Sequence, residues 1–284
     1  MEGLILMNSI CIKCNETNIL NAIYLKVNSL KIDNLICRKH SFRQFDNIII
    51  HFYNENISVL YNKISKILAE IIIKYYEPLL VKRFLNLNYF YFSSSDKDVI
   101  LEEFDLLKEK NIYDYKFVYD SIFKSVNNFL CTNKSMILSG FVNFRLYDYK
   151  KYLEDVLSES VNQYVIDKEY LTFVNLLKNY INSKVPNNIT VNLLYVNSSG
   201  ILLSEDGNYI KLDDFSSSYL SDITFSQNDY VLNTLVGILP QEIKIHLITP
   251  KDQFIKTLEM IFTDKIVFCN GCELCKAYKL LHLE

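Results

Sequence analysis

Between Gly140 and Ile181 the chain holds its longest stretch of helical period, and any fold must accommodate it. Tyr149, Tyr152, Leu153, Val156 and Leu157, then Tyr164 and Val165, then Phe173, Val174, Leu177 and Ile181 recur at spacings of three and four. Asp148, Lys151, Glu154, Asp155 and Ser158 fall between them, as expected of a helix with one buried and one wet face. Asp167 has the character of a helix start, a negative side chain placed where orphan N–H groups need a partner. The pattern therefore predicts one helix over 146–165 and a second over 168–181, stacked as a scaffold with Phe173 and Leu177 buried.

Around this stretch the period changes. Residues 1–55 read as a small α/β lead-in, with strands over 4–12 and 47–52, a helix over 18–30, and the Cys37–His40 neighbourhood in or beside another strand. The apolar run Ile48, Ile49, Ile50 suits a strand buried on both faces. Residues 56–182 read as a helical region. Ile57, Leu60, Tyr61, Ile64, Ile67, Leu68, Ile71, Ile72 and Tyr75 form one broad apolar stripe, which Pro78 should break or kink, with 79–91 as a further piece. Ser93 to Asp96 is a linker whose last residues cap a helix over 97–110. A helix over 113–130 points Phe117, Tyr119, Ile122, Phe123, Val126 and Leu130 inward.

Residues 183–284 form a C-terminal α/β region. It begins with a β-meander over 189–196, 201–204 and 209–212, turned at Asn197–Gly200 and at Asp206-Gly207, followed by a loop at Ser216–Ser218. A helix over 229–239 closes at Pro240, and a strand over 244–248 follows. Thr249-Pro250 then opens a helix that runs to Phe262, by a hydroxyl cap with proline at the first helical position. With a last strand over 266–269, this makes a parallel β-α-β unit. The fold class is mixed α/β: an N-terminal α/β lead-in, a helical middle and a C-terminal meander plus β-α-β.

Composition excludes more than it assigns. Half of the 284 residues are hydrophobic and 22% are charged, the balance of a globular protein. A net charge of −3 argues against nucleic acid as a partner. The abundance of Tyr and Phe with no Trp and only four arginines (Arg38, Arg43, Arg83, Arg145) points to A+T-rich codons rather than to a function. The start of the chain lacks the basic region of a signal peptide. The most hydrophobic helix, 57–80, carries Lys63, Lys66, Glu70 and Lys74, so no membrane span is expected. Seven cysteines, an odd number in a chain with a sizeable core, suggest reduced thiols and a cytoplasmic location.

The sharpest motif is Cys269-Asn270-Gly271-Cys272-Glu273-Leu274-Cys275, three thiols at C-x2-C-x2-C on the carboxyl end of the last predicted strand. Gly271 permits the tight turn that lets Cys269 and Cys272 face one ion. Lys279 and Leu280 stand where a ferredoxin run has its fourth cysteine and proline, so an iron–sulfur reading fails. Structural zinc needs four ligands, and Cys269, Cys272 and Cys275 supply three. Cys11-x2-Cys14, His246 or His282 could complete the set; ordinary reduced thiols are the bland reading. His246, on an apolar strand, also suits a hydrogen-bonded core histidine. Arg145, between Phe144 and Leu146, suits a buried ion pair between helices or an anion site. Glu154, Asp155 and Glu159 read as a solvated face. No P-loop, G-x-S-x-G or H-E-x-x-H is present, and no catalytic residue emerges.

Several of these residues also carry a resemblance. Gly140-Phe141 with Phe144-Arg145-Leu146, then Lys168-Glu169-Tyr170, Phe173, Leu176-Leu177-Lys178 and Tyr180, form two blocks. Asp229, Val231-Leu232, Leu235-Val236, Pro240 and Ile245-His246 form a third. Ile261-Phe262, Lys265–Val267 and the Cys269, Gly271-Cys272, Cys275 ending form a fourth. In that order, over about 57–275, they resemble the YtxC-like family of sporulation proteins from spore-forming bacteria. The resemblance implies a role in endospore formation and brings no activity, cofactor or catalytic residue. The chain is accordingly expected to be a cytoplasmic binding or structural component acting on an unidentified protein partner. A thiol- or metal-dependent protein, an enzyme among the options, working through the C-terminal cysteines is the alternative.

Overall fold

In the computed structural model, residues 7–30, 32–41, 45–53, 57–110, 115–210 and 226–281 are described. The chain divides into two compact units, Met1–Val165 and Ile166–Glu284. No helix among the described residues is long and apolar enough to cross a membrane.

The first unit opens on β1 (Met7–Cys14), α1 (Thr17–Ser29), β2 (Leu35–Ser41) and β3 (Asp46–Tyr53). With the later β4 (Ser135–Ile137) they form a sheet in the order β2-β3-β1-β4, antiparallel except for the β1–β4 pair. Burial alternates along β3, with Ile48, Ile50 and Phe52 inward and Ile49 only half-buried, so the strand is covered on one face rather than two.

The predicted apolar stripe becomes α2 (Ile57–Ile71), which runs through one π turn (Ile72–Tyr76) into α3 (Glu77–Asn88). The physical cause is Pro78. Proline in a plain helix lacks its own N–H and clashes with the carbonyl four residues back. The wider π turn, in which Glu77 N–H donates to the Ile72 carbonyl, re-spaces the chain just before it. Ser93 and Asp96 then form a reciprocal capping box at the start of α4 (Ser94–Glu109). In α5 (Tyr115–Thr132), Val118, Ile122, Val126 and Leu130 are buried, whereas Phe117, expected inside, is 72% exposed because Val118 takes the inward position. The short α6 (Leu138–Arg145) follows β4.

The two stacked helices expected over 146–165 and 168–181 are one helix, α7 (Tyr147–Asn182), of 36 residues. Asp167 starts nothing: it is exposed on the helix surface, where an aspartate costs little, and no glycine or proline interrupts the run. Tyr149, Leu153, Val156, Leu157 and Val161 pack into the core of the first unit. Val174 and Ile181 pack into that of the second. Phe173, expected to be buried, is 49% exposed and Leu177 is half-buried, since Val174 holds the inward position. Glu154, Asp155 and Glu159 are exposed as expected.

The second unit contains β5 (Asn187–Val196), β6 (Ser199–Leu203), α8 (Gln227–Ile238), β7 (Pro240–Leu247), α9 (Gln253–Phe262), β8 (Ile266–Phe268) and α10 (Glu273–Leu281). Its sheet order is β6-β5-β7-β8, with the β5–β6 hairpin antiparallel and β5–β7 and β7–β8 parallel. The meander's third strand reduces to a single Leu203–Tyr209 bridge among the described residues; the rest of it, and the Ser216–Ser218 loop, lie outside them. Gly207 takes φ 80° in the turn, as the Asp-Gly pair predicts. Helix α9 starts later than Thr249-Pro250 suggests. Asp252 accepts from the N–H groups of Phe254 and Ile255, while Thr249 accepts from Asn197 N–H.

The faces of this sheet position everything that follows. Val191, Leu193, Tyr195, Ile243 and Ile245 point into a core shared with residues of α8 and α9. Because side chains alternate, Asn192, Leu194, Lys244 and His246 occupy the opposite face, Leu194 paired with His246 and Asn192 with Lys244.

Candidate metal centre

Each of the three cysteines is placed by a different piece of local structure. Strand β8 pairs with β7 through Phe268 and Ile245, and Cys269 N–H continues that ladder by donating to the Ile245 carbonyl. One step further along, Cys269 lies beside His246 on the same face. The chain then turns at Asn270-Gly271, where Gly271 adopts φ 108°, a conformation that side-chain-bearing residues rarely adopt. This turn directs backbone N–H groups back at the sulfur, with Cys272 N 3.4 Å from Cys269 Sγ. Helix α10 begins directly after Cys272 and carries Cys275 one turn in.

The result is one cluster. A ligand atom from each of His246, Cys269, Cys272 and Cys275 lies within 4.8 Å of the others. Cys275 Sγ is 3.8 Å from Cys269 Sγ and 3.8 Å from Cys272 Sγ. His246 Nδ1 is 3.3 Å from Cys275 Sγ and 3.4 Å from Cys272 Sγ. Zinc–sulfur bonds of about 2.3 Å and zinc–nitrogen bonds of about 2.0 Å at tetrahedral angles put sulfurs about 3.8 Å apart and nitrogen about 3.5 Å from sulfur. The donor set and its spacing fit a single zinc ion. They leave no room for a four-iron cluster, whose cube holds its ligating sulfurs farther apart.

The protonation tendencies run the same way. Hydrogen bonds from the Gly271 and Cys272 backbone lower the Cys269 thiol to about 7, against the opposing effect of burial. Burial pushes Cys275 up to about 11, with the neighbouring sulfurs adding to it. Such a thiol ionises when a cation supplies the missing opposite charge. Burial, then the charge of Lys244, lowers the His246 pKa, which keeps the imidazole neutral as a ligand must be.

Of the sequence-predicted candidates, Cys269, Cys272 and Cys275 converge, and His246 is the residue that joins them. His246 is also hydrogen-bonded through both ring nitrogens and only 4% exposed, as a core histidine would be. His282 lies outside the described residues. Cys11 and Cys14 belong to the other unit, and residues three apart on a strand point to opposite faces, so this pair cannot hold one ion. Cys14 instead sits buried against Glu16, 3.0 Å from its carboxylate. Arg145 is exposed and forms no ion pair among the described residues. It lines an open cleft of about 410 Å³ with Lys13 and Phe144. Its place at the end of the short α6, rather than between packed helices, is what leaves it there.

A residue that sequence reasoning missed stands behind the histidine. Asn192 Oδ1 is 3.1 Å from His246 Nε2, and Asn192 Nδ2 donates to the Ser204 carbonyl at 3.1 Å. Its one signal in the sequence is a polar residue inside the apolar run of β5.

No solved structure matches the chain. An uncharacterised protein of Bacillus subtilis, YtxC, is 22% identical over 133 residues, which is 45% of this chain and 46% of that protein. The match thus spans less than half the length of this relative. The family model described as the YtxC-like family matches residues 62–267, a span that includes Asn192 and His246 and stops just before Cys269. The cysteines expected to close the family resemblance therefore lie beyond the matched segment. With most of its length covered in this way, the chain belongs to the YtxC-like family.

Proposed function

We propose that this chain is a non-catalytic sporulation factor whose C-terminal unit folds around one zinc ion held by Cys269, Cys272, Cys275 and His246. The observation that carries the zinc is the spacing of the four donors, all within 4.8 Å of one another. Four protein ligands close the coordination sphere, the arrangement of structural rather than catalytic zinc, which keeps an open position for water or substrate. The sporulation role rests on the family resemblance. A cytoplasmic location accords with seven free cysteines, and a protein partner accords with exposed aromatic residues such as Phe144 on the first unit.

Metal analysis tests the centre. Protein purified without chelator should carry one zinc per chain, and Cys272→Ser should lose it. Metal-free wild type with fast-reacting thiols would overturn the zinc and favour redox thiols at the same three positions, whose sulfurs approach to 3.8 Å. Deleting the gene should lower the yield of heat-resistant spores and leave vegetative growth unchanged. Equal spore counts in mutant and parent would remove the sporulation role.

A further inference from the structure

We propose that Asn192 is the positioning residue of this centre: it holds the proton of His246 on Nε2 and so commits the imidazole to bind metal through Nδ1. The inference rests on the zinc reading and goes beyond it, because the four ligands alone do not say which ring nitrogen binds.

The polarity of the site is fixed two hydrogen bonds away from the histidine, at the Ser204 carbonyl. The Ser204 carbonyl is an acceptor only, so the group of Asn192 that faces it at 3.1 Å is the amide NH2. That fixes the other end of the side chain. Asn192 presents Oδ1, again an acceptor only, to His246 Nε2 at 3.1 Å. Two acceptors cannot share a hydrogen bond, so Nε2 carries the proton in the neutral ring. Nδ1 is then the nitrogen with a free lone pair, and it is Nδ1 that lies 3.3 and 3.4 Å from Cys275 and Cys272.

Register makes the relay possible. Asn192 lies opposite Lys244 across the parallel β5–β7 pair, one same-face step before Leu194, which lies opposite His246. The amide therefore reaches the ring on the diagonal, from the edge away from the cysteines. Asn192 also lies opposite Leu203 in the β5–β6 hairpin, which brings the Ser204 carbonyl within reach of its Nδ2. A chain of fixed polarity thus runs from a backbone carbonyl through Asn192 and His246 to the thiols. Outer partners of this type orient a metal-binding imidazole and raise its basicity, and their loss typically weakens metal binding about 10–100-fold.

The test uses the full chain with zinc and cobalt(II) as probes. Long-range proton–nitrogen NMR of the zinc-loaded wild type should show His246 protonated at Nε2 and metal-bound at Nδ1. By competition with a chromophoric chelator, Asn192→Leu should bind zinc 10–100-fold more weakly, as expected for a lost outer partner. Asn192→Asp, which keeps an acceptor for Nε2–H, should bind several-fold tighter than the leucine variant. Metal bound at Nε2, or an Asn192→Leu variant that binds zinc like wild type, would overturn the proposal. Should the leucine variant fail to fold, the wild-type ring assignment decides alone. A wild type that binds neither zinc nor cobalt would overturn the zinc centre itself, and this positioning role with it.

Discussion

Removing the metal should loosen the C-terminal unit by an amount that can be worked out in advance. Of the described residues of α10 whose burial is given, only Cys275 is buried, and none of them joins the apolar core that β7, β8, α8 and α9 share. Among those residues Cys275 is thus the one buried anchor, with Leu274 and Tyr278 half-buried beside it. A ligand that binds only the folded state adds about 2.7 kcal/mol at a free concentration one hundred times its Kd. A unit of roughly 120 residues unfolds near 60 °C with an entropy of about 0.25 kcal/mol/K. Dividing the two gives a rise in Tm of about 11 °C between chelated and zinc-saturated protein. Differential scanning calorimetry in excess chelator, then in buffered zinc, reads this shift directly. Limited trypsin digestion should find Lys276 and Lys279 cut quickly in chelator and slowly in zinc. A midpoint that moves by less than about 2 °C, with α10 equally protected in both, would refute the reasoning.

Three further outcomes are expected. Gly271→Ala should cost about 1–3 kcal/mol and speed zinc release to a chelator, because its φ of 108° strains any side-chain-bearing residue whatever the space around it. Glu77 is 5% exposed, accepts from Tyr149 Oη at 2.6 Å and pairs with Lys108. Glu77→Ala, which removes the buried carboxylate that Tyr149 donates to and Lys108 pairs with, should lower stability in urea by about 3–5 kcal/mol, more than Tyr149→Phe does. Burial, then its hydrogen bond to Glu16, raises the Cys14 thiol from 9.0 to about 11. A raised folded pKa stabilises fully below pH 9 and loses that stabilisation as pH climbs through 11. Wild type should thus lose up to about 2 kcal/mol more over that window than Cys14→Ala. An equal loss in both proteins would remove Cys14 as the cause.

How much of this was legible depended on how local the governing interaction is. Helices α2, α4 and α5 and the hairpin of β5 and β6 follow from spacing, from the Ser93–Asp96 stretch and from the turn at Asn197–Gly200, all interactions within a few residues. The cysteine cluster was legible for the same reason, since a strand end, one glycine turn and one helical turn bring three thiols together. What escaped lies between distant segments. Asp167 has the chemistry of a cap, but a cap forms only where the chain leaves the helix, and nothing near 167 makes it leave. Choosing His246 over Cys11 and Cys14 required the register of β7 against β8, and finding Asn192 required that of β5 against β7. The strand β4 and helix α6 are too short to show a period at all.

The π turn before Pro78 acts as a phase shifter. Upstream, Leu60, Ile64, Leu68 and Ile72 mark the inward line four residues apart; downstream it continues through Tyr76, Leu80 and Val81 to Leu85. A plain α-helix drifts round its axis under such spacing, and one extra residue wound into Ile72–Tyr76 resets the line. Were the same residues wound as plain α-helix, everything beyond the turn would rotate by about 100°. Glu77 would swing away from Tyr149 and Lys108, and exposed Leu79 would move toward the inside. The angular setting of α3, and with it the whole Glu77 network, is thus set by how the chain is wound between Ile71 and Glu77, and not by the number of residues alone.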